Sequence, residues 1–186
     1  GTLTLRWWAC ILLFIAATQA AAENVVLGLS KDSVAITANF DGSDILVFGA
    51  VKRESAIPAT TLQVIMTISG PFKPLIVRRK DKRFGIWINT ESAQLEAAPS
   101  FYAVATSAPW DEVITDQQDT MHHVSVVRAI EARRTSPKTA DQARFAEAVI
   151  RIKTSENLYQ MLENSVSVDQ QTLFRTSIAM PSNLTE

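Results

Sequence analysis

The first two-thirds of the chain alternates between apolar and polar positions in the manner of β-strands. The clearest example is residues 33–40, SVAITANF, where apolar side chains occupy every second position from Val34 to Phe40. A period of two over this length predicts a half-buried strand. Residues 45–51, ILVFGAV, are instead apolar on both faces, which is typical of a central strand.

Further apolar runs bounded by turn residues predict more strands. They lie at residues 24–30, 61–69, 75–80, 84–88, 100–107 and 166–181. In the last of these, the even-numbered side chains from Phe174 to Met180 share one face. The runs at 75–80 and 84–88 are typical of two antiparallel strands with basic residues at their junction.

Between residues 110 and 160 the pattern changes to a helical one. Apolar side chains from Phe145 to Ile152 recur at helical spacing on one face. Thr139 and Gln142 have the spacing of a capping box, which satisfies free N–H groups at the start of a helix. These features predict an amphipathic helix that packs on the sheets.

Residues 119–134, DTMHHVSVVRAIEARR, fit both a helix and a strand, and that choice stays open. Many short strands with turn signals between them favour a β-sandwich. The fold prediction is therefore a mainly β domain, an immunoglobulin-like β-sandwich with an inserted helical segment at about 110–160.

The first 22 residues have the three-part pattern of a secretory signal peptide. Arg6 supplies the positive region, an apolar run extends from Trp7 to Ala17, and small residues follow. This run is shorter than the roughly 20 apolar residues that a membrane span requires. We therefore predict cleavage after Ala22, so that the mature domain begins at Glu23. A retained N-terminal anchor is the alternative.

The composition is that of a folded domain, with 47% apolar and 20% charged residues among 186. The formal net charge of −1 argues against a nucleic-acid-binding protein, which carries a basic domain or face. Cys10 is the only cysteine and lies within the predicted signal peptide, so the mature domain has neither a disulfide nor a thiol nucleophile. An exported domain without cysteine is typical of the bacterial envelope.

Motifs of the common enzyme classes are missing from the sequence. There is no G-x-S-x-G, H-E-x-x-H, G-x-x-x-x-G-K or G-x-G-x-x-G. His122 and His123 are the only histidines, and adjacent side chains diverge on a helix or a strand, so the pair is poorly placed to chelate one metal ion. We therefore predict no catalytic residue, no metal site and no cofactor.

Residues 77–92, VRRKDKRFGIWINTES, hold the strongest candidate for binding chemistry, because five cations surround one acid. The candidate ligands of a small anion are Arg78, Lys80, Lys82 and Arg83. Such cations bind sulfate, phosphate, a lipid headgroup or an acidic partner. The alternative is a hairpin tip whose charges keep it soluble and block edge pairing. Alternate residues of a strand point to opposite faces, so the cations need not converge.

Four large aromatic residues that could form a ligand platform are predicted to pack instead. They are Trp87, Phe101, Tyr102 and Trp110. On strands, such residues fill the core or pack against a neighbouring strand much more often than they form a ligand platform. We therefore expect packing to be their role.

Four segments carry a resemblance to a known family. They are GLSKDSVAITANFDGSDILVFGAVKRE, VRRKDKRFGIWINTES, APSFYAVATSAP and LFRTSIAMPSNL. Over nearly all of residues 23–184 the chain resembles the alphaproteobacterial putative transmembrane protein family. The resemblance implies an N-terminal signal, a periplasmic domain and one C-terminal membrane helix, with no established activity. Genes of this family often lie beside sulfite-exporter-like (TauE/SafE) permeases.

The resemblance also implies that the natural protein continues past Glu186 with a further strand and the membrane helix. We therefore expect a signal peptide at 1–22 and, at 23–186, a periplasmic domain truncated at its C-terminus and tethered to the inner membrane. The leading hypothesis is a non-enzymatic accessory or interaction module for a membrane permease. The alternative is a domain that binds small sulfur oxyanions through the basic cluster at 78–83.

Overall fold

The structure is a computed structural model. It describes residues 24–29, 43–52, 59, 61–137 and 139–184. The predicted signal peptide at 1–22 and the predicted strand at 33–40 lie outside the described residues.

The described residues form nine strands and four helices. The strands are β1 Asn24–Leu29, β2 Ser43–Lys52, β3 Ile65–Ser69, β4 Phe72–Arg83, β5 Ile86–Pro99, β6 Tyr102–Thr106, β7 Tyr159–Leu162, β8 Ser167–Asp169 and β9 Leu173–Met180. The helices are α1 Trp110–Val113, α2 Asp116–His122, α3 Val126–Glu131 and α4 Ala140–Ser155. All seven predicted strands within the described residues are confirmed as strands, with shifted ends, although 166–181 divides into two.

The strands are divided among three sheets. One is four-stranded, in the antiparallel order β1-β2-β9-β8. A second has the order β3-β6-β7, in which β6 and β7 run parallel, and the third is the β4–β5 hairpin. All four helices lie between β6 and β7, so a mainly β fold with an inserted helical segment is confirmed. The immunoglobulin-like arrangement of the strands stays a prediction.

The core is centred on β6, whose residues are all buried. Phe101, just before this strand, is only 1% exposed. Two core tyrosines satisfy their hydroxyl groups: Tyr102 donates to the carbonyl of Val124 at 2.7 Å, and Tyr159 donates to that of Pro99 at 2.9 Å. Burial raises the pKa of both hydroxyls above its ordinary value. The predicted packing role is thus confirmed for Phe101 and Tyr102.

In the strands β2 and β9 of the four-stranded sheet, where the side chains are described, one face is buried and the other is exposed. On β9, Phe174, Thr176 and Ile178 are buried, which confirms the predicted shared face. On β2, Val47 and Val51 are buried on the same side of the sheet. The prediction of a central strand at 45–51 is confirmed, because β2 lies between β1 and β9. Its side chains Leu46 and Phe48, on the opposite face from Val47, are exposed.

The segment that the sequence left open folds as two short helices joined by a tight turn. His123 follows the last residue of α2 as its C-cap, in a left-handed conformation with φ 54°, and Ser125 caps the start of α3. Asp119 fastens this turn from the preceding helix. Its Oδ1 accepts the backbone N–H groups of Val124 at 3.1 Å and Ser125 at 2.7 Å, and its Oδ2 accepts the Ser125 hydroxyl at 2.7 Å.

The long helix α4 begins where its capping box predicts. The Thr139 hydroxyl accepts the N–H of Gln142 at 3.2 Å, and the Gln142 side chain accepts the N–H of Thr139 at 3.4 Å. The helix lies against β5 and β7 with Val149 buried. Ile152, at the end of the predicted apolar face, is half exposed. This placement of α4 decides how much of the β4–β5 hairpin is covered.

Candidate functional site

The basic cluster lies in a long hairpin formed by β4 and β5. The predicted antiparallel pairing is confirmed, but Phe84 and Gly85 form the turn instead of belonging to the second strand. Both turn residues have positive φ, at 52° and 80°. Such values suit the tightest two-residue hairpin loops. The cations therefore line the strand that leads directly to the apex.

Among the side chains of this hairpin that the structure describes, those at its base are covered and those towards its turn are not. Leu75 pairs with Leu95, which is buried, and α4 packs on β5 near this level. From residue 78 to residue 88, every side chain is exposed. The apex is six residues beyond Arg78, or about 20 Å at the rise of a strand. We call residues 78–88 the hairpin tip.

The hairpin tip separates the predicted anion ligands. Alternation along β4 places Arg78, Lys80 and Lys82 on one face and Arg83 on the other. Arg83 lies 3.8 Å from the Asp81 carboxylate, its neighbour on that second face. The ladder is irregular between residues 79 and 80 of β4, but the extra residue is on β5, so alternation along β4 continues. Side chains two apart on a strand are about 7 Å apart.

Apolar side chains at the hairpin tip are open to solvent. Phe84 is 103% exposed, Ile86 66% and Trp87 65%. Of the two packing roles expected for Trp87, burial in the core is therefore excluded, and packing against the neighbouring strand β4 stays a prediction. Trp87 lies opposite Lys82 on β4, and Ile86 lies opposite Arg83. A charged partner strand cannot bury them, and no helix in the described part of the chain reaches this far. This exposed apolar surface was not predicted from the sequence. The charged residues that lie opposite Ile86 and Trp87 on β4 could have indicated it.

A basic cleft lies between the base of the hairpin tip and α4. Val77, Arg78 and Arg79 border it from β4, and α4 contributes the remaining lining residues Arg144, Phe145, Ala148, Arg151 and Ile152. Its volume is about 340 Å³. Arg144 also contacts the Asp141 carboxylate. The sequence reasoning considered neither Arg144 nor Arg151 as a ligand, although seven residues, or about two turns, separate them on one side of the helix. The cleft can receive an anion that has an apolar part.

A second, mostly apolar groove of about 300 Å³ lies on the other side of α4. Leu95 and Ala97 of β5, Ile130 of α3, and Ala146 and Ile150 of α4 form its apolar lining. Charged and polar side chains, including those of Glu96, Arg134 and Glu147, stand at its edge. Nothing in the sequence pattern predicted this groove, because its walls come from three separate elements.

Glu96 ties the segment before α4 to β5 at the edge of this groove. Its carboxylate accepts hydrogen bonds from the backbone N–H and the hydroxyl of both Thr135 and Ser136. The Ser136 hydroxyl has the largest effect, followed by the N–H and the hydroxyl of Thr135. Together these donors lower the pKa of Glu96 from its ordinary value of 4.5 to about 2.

Glu96→Gln is expected to weaken the hydrogen bonds that Thr135 and Ser136 donate to residue 96. It should also remove the pH dependence of stability that the Glu96 carboxylate causes. Because the pKa of Glu96 is lower in the folded chain than its ordinary value, its stabilising effect is complete above pH 4.5. The effect is lost as the pH falls towards about 2. Hydrogen exchange at the Thr135 and Ser136 amides should therefore be faster in the variant at pH 6 and should match wild type near pH 2.

The matched control for this prediction is Glu147→Gln, an exposed glutamate at the edge of the same groove. It should leave exchange at Thr135 and Ser136 unchanged at every pH. If wild type and Glu96→Gln lose stability equally between pH 5 and pH 2, the assigned role of Glu96 is wrong.

The two histidines do not face one another in a site. His122 ends α2, His123 follows in the left-handed conformation, and both are exposed. Across the described ranges, no three or more His, Cys, Asp or Glu side chains are grouped in a way that could hold a metal ion.

The hairpin, the cleft and the groove all lie within residues 24–186, which match a family described as putative transmembrane protein (Alph_Pro_TM). The chain belongs to this putative transmembrane protein family. No curated protein and no solved structure matches the chain.

Membership in the putative transmembrane protein family confirms the resemblance drawn from the four sequence segments. The family match covers every described strand and helix, and therefore includes the hairpin tip. None of the four helices in the described part of the chain has the length and hydropathy that crossing a bilayer demands. The description of the family as transmembrane supports an association of the protein with a membrane.

Proposed function

We propose that this member of the putative transmembrane protein family is a non-enzymatic accessory domain that binds a membrane permease. In this proposal the protein is alphaproteobacterial and is anchored in the inner membrane. The described domain faces the periplasm after removal of the signal peptide, and its strands follow an immunoglobulin-like plan. The family match and the export signal read from the sequence support this location.

The observation that carries the proposal is the outer face of the four-stranded sheet. Leu46 and Phe48 of β2 and Leu173 of β9 are all about half exposed on this face, with Phe48 at 46%. Phe48 pairs directly with Arg175 across the ladder, and Leu173 is the diagonal neighbour of Phe48 on the same strand as Arg175. Apolar and aromatic side chains around an arginine are the typical composition of a protein–protein interface centre.

A photo-crosslinking amino acid placed at Phe48 tests the proposal in native membranes. We expect one dominant adduct, whose partner is identified by mass spectrometry as a membrane protein of permease type. The same amino acid at Met121, an exposed residue of α2, is the matched control and should give no such adduct. Equal adduct yields from the two positions would contradict a partner on the sheet.

The second candidate function is the binding of small anions such as sulfite, sulfate or thiosulfate. The basic cleft favours it, because Arg78 and Arg151 face a common space from two different elements. Calorimetric titration of the full chain with these anions should show saturable heat that Arg151→Gln abolishes. Lys82→Gln is the control, since Lys82 does not line the cleft. A flat titration with all three anions removes this function.

A further inference from the structure

The hairpin tip carries both apolar side chains, which favour a nonpolar environment, and basic side chains, which favour water or anionic groups. Phe84 in the turn and Ile86 and Trp87 on β5 are apolar and exposed. Lys80, Lys82 and Arg83, at the end of β4, are the basic residues that precede the turn. We propose that the hairpin tip inserts into an anionic lipid bilayer, with Phe84 and Trp87 at the level of the headgroups and the lysines bound to lipid phosphates. This inference extends the proposed accessory function by naming the surface against which the domain is held.

The apex itself argues against a tip that only keeps the hairpin soluble. A turn with two positive φ angles is normally built from Asn-Gly or Asp-Gly, because bulky side chains rarely adopt the left-handed region. Here Phe84 occupies the first position with φ 52°. Its side chain is 103% exposed, so it does not contribute to the packing of the fold. A strained backbone that presents an aromatic ring to solvent is typical of a functional contact.

The order of residues along the hairpin matches the layers of a membrane surface. Phe84 is at the apex, the Arg83–Ile86 pair follows it, and the Lys82–Trp87 pair follows next. Successive pairs are about 3.3 Å apart, so the last of these lies within about 7 Å of the apex. Aromatic rings favour the interface between headgroups and acyl chains, and the long lysine and arginine side chains extend their charges to the phosphates.

Charge complementarity favours lipid over a protein partner. The stretch 78–83 holds five cations and one acid, although the whole chain has a net charge of −1. Lysine is depleted at the centre of protein–protein interfaces, whereas basic clusters next to apolar residues bind anionic lipid surfaces. The cations of the hairpin tip therefore fit a bilayer that contains phosphatidylglycerol or a similar anionic lipid.

An environment-sensitive fluorophore at the hairpin tip provides the test in the full chain. The probe NBD is attached to Ile86→Cys in a Cys10→Ser background, which keeps Phe84 and Trp87 in place. With vesicles of equal phosphatidylglycerol and phosphatidylcholine, we expect a blue shift and quenching by spin-labelled lipids. Pure phosphatidylcholine vesicles should give neither. The same probe on Met121→Cys controls for any approach of the rest of the chain to the vesicle.

Charge and apex variants separate the contributions to insertion. Each of Lys80→Gln and Lys82→Gln should raise the lipid concentration at half-maximal signal about fivefold, and Phe84→Asp should raise it about tenfold or more. Lys73→Gln, an exposed lysine of β4 at the base of the hairpin, should change it little. Unchanged near-ultraviolet circular dichroism in each variant excludes unfolding as the cause.

Three outcomes decide the proposal. A probe at position 86 that enters anionic vesicles in a manner dependent on Lys80 and Lys82 supports it. A probe that stays in water with every vesicle overturns it. A probe signal that changes with inorganic phosphate alone, at constant ionic strength and without vesicles, also overturns it in favour of a free-anion site. The crosslinking test at Phe48 uses a different sheet, so loss of one proposal leaves the other standing.

Discussion

Phe101→Ala is expected to lower the free energy of unfolding by about 3–5 kcal/mol, the usual cost of emptying a buried phenylalanine site. Phe101 is 1% exposed, lies in the main core cluster and connects β3 to β6 through its carbonyl, which accepts the N–H of Gly70 at 2.8 Å. A domain whose total stability is about 5–15 kcal/mol would be close to unfolding. Urea denaturation followed by circular dichroism measures the change.

Phe84→Ala is the matched control, since it removes the same side chain from a fully exposed position. Its effect on unfolding should stay within about 0.5 kcal/mol. Similar losses for the two variants would mean that Phe101 does not lie in a packed core. Phe84→Ala also tests the hairpin tip, because a stable variant that no longer inserts into vesicles separates function from folding.

Asp119→Ala should lower the free energy of unfolding by about 3 kcal/mol. The change removes a carboxylate that accepts three hydrogen bonds and leaves two N–H groups without that acceptor. The loss of stability should be largest in the turn between α2 and α3. Nuclear magnetic resonance can follow it through hydrogen exchange at the Val124 and Ser125 amides, alongside the global stability from urea denaturation.

Two variants sharpen this second prediction. Asp119→Asn keeps one oxygen acceptor but loses the charge, so it should fall between wild type and Asp119→Ala. Asp116→Ala removes an exposed acid from the first turn of the same helix, where only a small helix-dipole effect of about 0.3–1 kcal/mol is expected. If Asp116→Ala and Asp119→Ala were equal, the hydrogen bonds of Asp119 would carry no special weight.

Local patterns predicted the elements well because each such pattern acts within a few residues. The capping box of Thr139 and Gln142 and the shared face of β9 are both confirmed. The hairpin pairing is confirmed too, since a basic junction between two apolar runs indicates a turn. Residues 119–134 were undecided from periodicity alone, because the structure is fixed there by a buried carboxylate and two caps.

The arrangement of the sheets depends on contacts that are distant in sequence. The parallel pairing of β6 and β7 brings Tyr102 beside Tyr159 across all four helices. No local pattern specifies such a partner. The same limit explains why the exposure of Trp87 was not predicted. Its strand alternates like a buried one, but α4 lies against β5 near the base of the hairpin and leaves Trp87 exposed.

The candidate site was predicted in location but not in geometry. Sequence reasoning identified the cations of 78–83 and their division between two faces of a strand. It did not predict that Arg78 would share a cleft with Arg151, because that depends on where α4 lies. Nor did it predict the exposed apolar apex, since exposure is set by the absence of a neighbouring element and not by the residue itself.

The lysines of the hairpin tip also bear on how the protein behaves at high concentration. Within the described residues, β4 and β5 pair only with each other, so each presents an edge that can accept another strand. A hairpin with exposed apolar side chains and two open edges is a hazard for amyloid-like stacking at high protein concentration. Mutual repulsion between the cations of neighbouring molecules opposes that stacking. In the proposed insertion, the charges that attract the hairpin tip to lipid would thus also keep the protein molecules from associating with one another in solution.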